Sequence, residues 1–161
     1  MSLQAVRGTR DIFGPEMSAW HRAEQIFRSV ADAFSYSEFR TPMFESTELF
    51  KRGIGEDTDV VGKEMYTFED RGGDSLTLRP EMTAPIVRAM IEHSYLRHHP
   101  TTRLWYAGPQ FRYDRPQKGR YRQFHQFGAE CIGSPYPESD VEVILLANEV
   151  LQRVGITKYT L

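Results

Sequence analysis

The sequence predicts an α+β fold, a mainly antiparallel sheet flanked by helices. Three observations lead there. Helix-period and strand-period segments are mixed and do not alternate as regular βαβ units. The extended segments fall in pairs around turn residues, as hairpins do. Long helical stripes stand near the beginning and near the end of the 161 residues.

The first stripe predicts a helix from about Pro15 to Phe34. Met17, Trp20, Ala23, Ile26, Phe27, Val30, Ala31 and Phe34 share one helical face. Pro15 suits a first helical position. Ser37 to Glu45 reads as a strand at an edge or an interface, because Pro42 donates no ladder bond. A short helix, Ser46 to Arg52, is expected to stop at Gly53. The polar stretch with Gly53, Gly55 and Gly62 reads as a mobile loop. Met65 to Phe68 and Ser75 to Arg79 are expected strands around a turn at Asp70 to Asp74.

A helix is predicted from Thr83 to Tyr95, then extended segments at Arg103 to Tyr106 and Phe111 to Tyr113. Pro116 to Gly119 turns the chain, and a strand returns from Tyr121 to Ile132. The last helix is expected to open on a capping box, Ser139 with Glu142, and to stop at Gly155. Thr157 to Leu161 reads as the start of a further strand, so a fragment of a longer domain is expected.

Composition narrows the class. Hydrophobic residues make up 40% and charged residues 26%, ordinary values for a globular domain. No apolar run reaches the roughly 20 residues of a membrane helix, so no membrane partner is expected. Met1 to Asp11 lacks the apolar stretch of a signal peptide, and Cys131 has no second cysteine to pair with. Both fit a reducing cytosol, and a cytoplasmic location is the expectation. Net charge is −2, yet Arg97 to Arg122 holds seven Lys or Arg and a single acid, Asp114. Such local basicity points to a polyanion, with a solvated basic loop as the plain alternative.

The most informative stretch is Phe111 to Glu130. On the returning strand, alternation places Arg120, Arg122, Phe124, Gln126, Gly128 and Glu130 on one face. The other face carries Tyr121, Gln123, His125, Phe127, Ala129 and Cys131 and is read as the packing face. The first face has the chemistry of a site for a nucleotide and a small ligand. Arginines hold phosphate oxygens, an aromatic ring stacks on a base, and glycine lets a ligand approach the sheet. A carboxylate accepts from a cationic or N–H group. An exposed sheet face laced with ion pairs explains the same spacing, and spacing alone leaves both open. His98 and His99 have no flanking carboxylate or cysteine cluster and read as solvated loop residues, so no metal-ligating set is expected. On the packing face, His125 reads as structural and Cys131 as a buried thiol.

The run FRYDRPQKGRYRQFHQFGAE, Phe111 to Glu130, resembles motif 2 of the class II aminoacyl-tRNA synthetases in its histidyl-specific form. TLRPEMTA, Thr77 to Ala84, is similar to the amino-acid-binding segment of the histidyl-tRNA synthetase family, and TDVVGKEMYTF, Thr58 to Phe68, resembles that family too. The helix at Pro15 to Phe34 with the Pro42 strand looks like motif 1, the class II dimer element. Arg7 to Asp11 is similar to the family's start.

The resemblance implies a partial class II catalytic core. Residues 1–161 would be the N-terminal portion of one catalytic domain, without motif 3, the histidine-specific loop or the anticodon-binding domain. It implies a histidine–tRNA ligase, with ATP as substrate, Mg2+ bound with the phosphates, L-histidine, histidine tRNA, and a homodimer in the full-length protein. Arg112 would be catalytic, holding the ATP α-phosphate and the substrate carboxylate. Arg120 would hold the distal phosphates, Phe124 would stack on adenine, and Asp114 would stand near the adenine or the tRNA end. Glu81, Met82 and Thr83 would line the histidine site, with Gln126 and Glu130 recognising substrate. Asp114 stands where the family more often has glutamate, and Met82 where it more often has glycine. Read alone, Glu81 after Pro80 is a residue that favours a helix N-terminus. A histidine-sensing regulatory subunit of ATP phosphoribosyltransferase is the alternative within the same resemblance. It has no need of Arg112, Arg120 and Phe124 together.

Overall fold

The computed structural model describes residues 3–54 and 63–160. The chain divides into two compact units. One comprises residues 1–11, 40–95 and 108–126; the other comprises residues 12–39, 96–107 and 127–161.

The second unit begins with helix α1, Glu16–Ala33, which follows Pro15 as its periodicity predicts. Its inner stripe buries Phe27, Val30 and Ala31, with Ile26 and Phe34 packed alongside. Strand β1, Ser37–Glu38, runs parallel to β5, Thr102–Phe111, pairing Ser37 with Leu104. Strand β6, Gln123–Ile132, lies on the other side of β5, so the sheet order is β1-β5-β6. Helix α4, Glu138–Val154, packs on α1 and buries Leu146. Phe27 meets Trp105 edge-on and stacks on Phe127, with ring centroids 5.6 and 4.9 Å apart. Burial of such rings is what holds this unit together.

The first unit contains a second sheet of order β2-β4-β3, all antiparallel. Its strands are β2, Phe44–Ser46, β3, Tyr66–Glu69, and β4, Ser75–Leu78. Asp70 builds the β3–β4 turn, its Oδ1 accepting from the backbone N–H of Gly72 and Asp74 at 2.7 and 3.0 Å. Helix α2, Thr47–Ile54, packs against β4 and α3, Thr83–Glu92. Phe50, Met82, Ile86, Ala89 and Met90 are buried here.

Several sequence expectations are corrected. The segment around Pro42 is not one strand. β1 and β2 belong to different sheets, and Pro42 lies between them. Gly53 does not end α2 but sits inside it, where a Cβ would lie 3.0 Å from the Ala84 Cβ. Its role is close helix approach rather than a stop. The loop expected around Gly55 and Gly62 lies outside the described residues. Arg103 to Tyr106 and Phe111 belong to a single ten-residue strand. No capping box opens α4, because Ser139 Oγ donates to Ser134 Oγ and Glu142 is engaged elsewhere. Residues 156–160 form no strand; the Tyr159 hydroxyl instead donates to Asn148 of α4. Gly155 does end α4, in the left-handed region at φ 98°.

Candidate active site

β5 ends at Phe111, and Arg112 follows with its backbone N–H bonded to the Arg122 carbonyl at 2.9 Å. Its guanidinium is fixed on two sides. Nε donates to the Pro80 carbonyl at 2.9 Å, and the group lies 5.4 Å from the centre of the Phe124 ring. Its two terminal nitrogens have no hydrogen-bond partner among the described residues. An anchored guanidinium with an open outer fork is suited to a phosphate or a carboxylate.

Through Pro80, Arg112 is tied to the start of α3. Glu81 follows Pro80, and its carboxylate accepts from the backbone N–H of Thr83 at 2.6 Å and of Ala84 at 3.0 Å. Glu81 thus caps α3, the role its place before a helix predicts, and a carboxylate keeps further lone pairs for a ligand. Met82 takes no strained conformation, at φ −119°, and its side chain is buried. Thr83 is exposed at the first turn of the helix. Beyond it, a groove of about 800 Å³ lies between α2 and α3, touching Glu81, Thr83, Val87 and Ile91. None of Arg112, Asp114, Arg120, Phe124 or Gln126 lines it.

The turn after Arg112 brings Asp114 and Arg120 together, Nη1 to Oδ2 at 3.1 Å, while Asp114 Oδ1 accepts from the Arg115 N–H. The Arg120 side chain is 62% exposed. Such a pair contributes about 1 kcal/mol or less. Little stability is therefore lost when Arg120 leaves Asp114. Gln126 is half-buried, and its Oε1 has no hydrogen-bond partner. Glu130 belongs to the other unit, half-buried on β6.

Three readings of the strand face change. Arg122 is not a second phosphate arginine. Its guanidinium lies over the Tyr113 ring at 3.9 Å, and its backbone N–H donates to the Gly8 carbonyl at 2.7 Å. A Cβ on Gly8 would come within 2.7 Å of the Arg122 side chain, so that glycine makes room for the contact. Gly128 does not open the sheet to a ligand, because the Tyr106 ring fills the space where its Cβ would be. His125 is exposed rather than packed; only Phe127, Ala129 and Cys131 of its face join the core.

Sequence reasoning missed Arg79, which is 3% exposed. Its Nε donates to the Pro109 carbonyl at 3.0 Å and its Nη1 to the Thr41 carbonyl at 3.0 Å. Burial lowers its pKa, partly offset by Glu45. An arginine ending an apolar strand was the available signal.

Comparison with known proteins matches residues 8–161 to the family model described as histidyl-tRNA synthetase. This chain belongs to the histidyl-tRNA synthetase family. A histidine–tRNA ligase from Cyanothece sp. is 58% identical over 160 residues, covering 99% of this chain and 37% of that relative. One from Thermosipho africanus is 54% identical over 156 residues, covering 97% and 37%. The solved apo histidyl-tRNA synthetase of S. aureus superposes with a TM-score of 0.80 at 39% identity, over 97% of this chain and 36% of that one. The fold is thus a partial class II catalytic core. The chain spans a little over a third of the length of the curated relatives it matches. Among the described residues no helix is long and apolar enough to cross a membrane.

Proposed function

We propose that this chain is the part of a histidine–tRNA ligase that holds ATP and histidine for amino-acid activation. A histidine carboxylate oxygen attacks the α-phosphorus of ATP. The bond from that phosphorus to the bridging oxygen breaks, and pyrophosphate leaves. The 3′-terminal hydroxyl of histidine tRNA then attacks the carbonyl of the adenylate, and AMP leaves. No protein nucleophile is needed, so catalysis is positioning and charge stabilisation.

The observation that carries this reading is Arg112, anchored through Nε to Pro80 beside Phe124, with its outer nitrogens open. In this reading it takes charge building on the α-phosphate and orients the carboxylate. Arg120 leaves Asp114 to hold the distal phosphates, and Phe124 stacks on adenine. Glu81, through its remaining lone pairs, and Thr83 receive the α-amino group, with buried Met82 shaping the turn that presents them. Gln126, whose Oε1 lacks a partner, recognises the rest of histidine, and a substrate role for Glu130 rests on the resemblance alone. Among the described residues no three His, Cys, Asp or Glu cluster as a cation cage. Mg2+ bound with the phosphates would neutralise part of their charge. That residues 1–161 form the N-terminal portion of one catalytic domain, the homodimer and the cytoplasmic location belong to the same reading.

A second reading is favoured by one neighbour. A Bacillus halodurans protein described as an ATP phosphoribosyltransferase regulatory subunit/histidyl-tRNA synthetase superposes with a TM-score of 0.82 at 26% identity. Histidine-dependent ATP–pyrophosphate exchange on the full-length reading frame carrying these residues separates the two. Robust exchange with histidine and none with other amino acids supports the ligase. No exchange from a folded protein rejects it in favour of the regulatory subunit.

A further inference from the structure

Arg79 sits one residue before Pro80, whose carbonyl anchors Arg112. Arg79 is fixed through both its backbone and its side chain. Its backbone N–H donates to the Met43 carbonyl and its carbonyl accepts from the Phe111 N–H, both at 3.0 Å. Its Nε holds Pro109, and its Nη1 holds Thr41 through the carbonyl at 3.0 Å and the hydroxyl at 3.3 Å, with the Pro42 carbonyl at 3.4 Å. Gly108 leaves the space for it, since a Cβ there would stand 2.7 Å from Nη2.

Those partners belong to different parts of the unit. Thr41 and Pro42 precede β2, and Pro109 and Phe111 lie on β5. A buried cation that donates to carbonyls rather than to a carboxylate stays exacting about geometry, because each acceptor is a fixed backbone dipole. Pro80 is itself fully buried and Glu81 follows it directly. The position of the Pro80 carbonyl is therefore set by the residue before it.

We infer that Arg79 is a positioning residue. Its clamp on Thr41, Pro42 and Pro109 holds the Pro80 carbonyl where it orients the Arg112 guanidinium toward the reacting phosphate. This rests on the phosphate role proposed for Arg112. Lysine at position 79 keeps the charge but presents one ammonium in place of the planar fork, so the strand end shifts and Arg112 loses its anchor.

The test is a double-mutant cycle in histidine-dependent ATP–pyrophosphate exchange, run on the full-length protein carrying these residues. The variants are Arg79→Lys, Arg112→Ala and the pair, each normalised to folded protein by circular dichroism. The expected result is a loss of about 10- to 100-fold for Arg79→Lys that vanishes when Arg112 is already alanine. An equal fold-loss in both backgrounds overturns the inference while leaving the Arg112 role intact. An Arg112→Ala protein with unchanged exchange overturns the Arg112 role, and this inference with it. Where Arg79→Lys does not fold, Gly108→Ala runs the same cycle, its methyl pressing on Nη2 without removing the charge. Loss of the fold in both variants assigns Arg79 to stability alone and also overturns the positioning role.

Discussion

The two units are built on different interiors. The unit of α1, α4 and the β1 side of the sheet buries Phe27, Val30, Ala31, Tyr36, Trp105 and Leu146, an apolar cluster rich in rings. The unit that carries Arg112 buries Phe50, Met82 and Ile86, but also Thr47, Thr77, Arg79 and Gln110. In it, Thr77 Oγ1 lies 3.0 Å from the Thr47 hydroxyl and 2.9 Å from that of Thr67, a relay across three elements. Apolar burial is non-directional and holds elements together. Hydrogen bonds are directional and hold them in one register. The unit that holds Arg112 fixes Thr47, Thr77 and Arg79 by the second kind of contact, although the side-chain amide of Gln110 has no partner among the described residues.

The comparison breaks or holds under four changes. The largest is Phe27→Ala, which removes a ring packed against Trp105 and Phe127. It should cost about 3–5 kcal/mol in urea unfolding. A loss below about 1 kcal/mol would mean that the aromatic cluster does not carry this unit. Arg112→Ala tests the other kind of contact. It should lower histidine activation by ~100-fold or more, about 3 kcal/mol of transition-state stabilisation, with unfolding little changed. An unchanged exchange rate would show the phosphate contact to be misassigned.

Thr77→Val keeps the shape but breaks the hydroxyl relay, leaving the Thr47 and Thr67 hydroxyls without their shared partner. A destabilisation of about 1–3 kcal/mol is expected by denaturant titration, and a neutral result would deny the relay any role. The smallest effect concerns pH. Glu142 accepts from Arg103 Nε at 2.6 Å and from the Tyr36 hydroxyl at 3.1 Å. The Arg103 hydrogen bond is the main cause holding its carboxyl below the ordinary value of 4.5. Its contribution is therefore fully present above about 4.5 and is lost as pH falls through the lowered folded value. Glu142→Gln should cost about 1 kcal/mol or less at neutral pH, and the gap to the parent should close in acid. A gap that stays constant from pH 7 to pH 3 would rule out the ion pair as its source.

What the sequence determined alone follows from local periodicity. The α1 stripe, the Gly155 stop, the Asp70 turn and the order of β3, β4, β5 and β6 are set by residues within a few positions of one another. The segments around Arg112, Phe124 and Glu81 stood out through their resemblance to motif 2 and to the family's amino-acid-binding segment, because spacing alone left a ligand site and an ion-paired sheet face both open. Tertiary structure decided the rest. It divided the Pro42 segment between two sheets, placed Gly53 inside a helix against Ala84, and filled the face of Gly128 with Tyr106. It turned Arg122 toward Gly8 and Tyr113, drew Glu142 from a cap to Arg103, and buried Arg79 among backbone carbonyls. Each of these depends on a partner distant in the chain, and side-chain direction on a strand or a turn is fixed by what stands opposite, which no local pattern encodes.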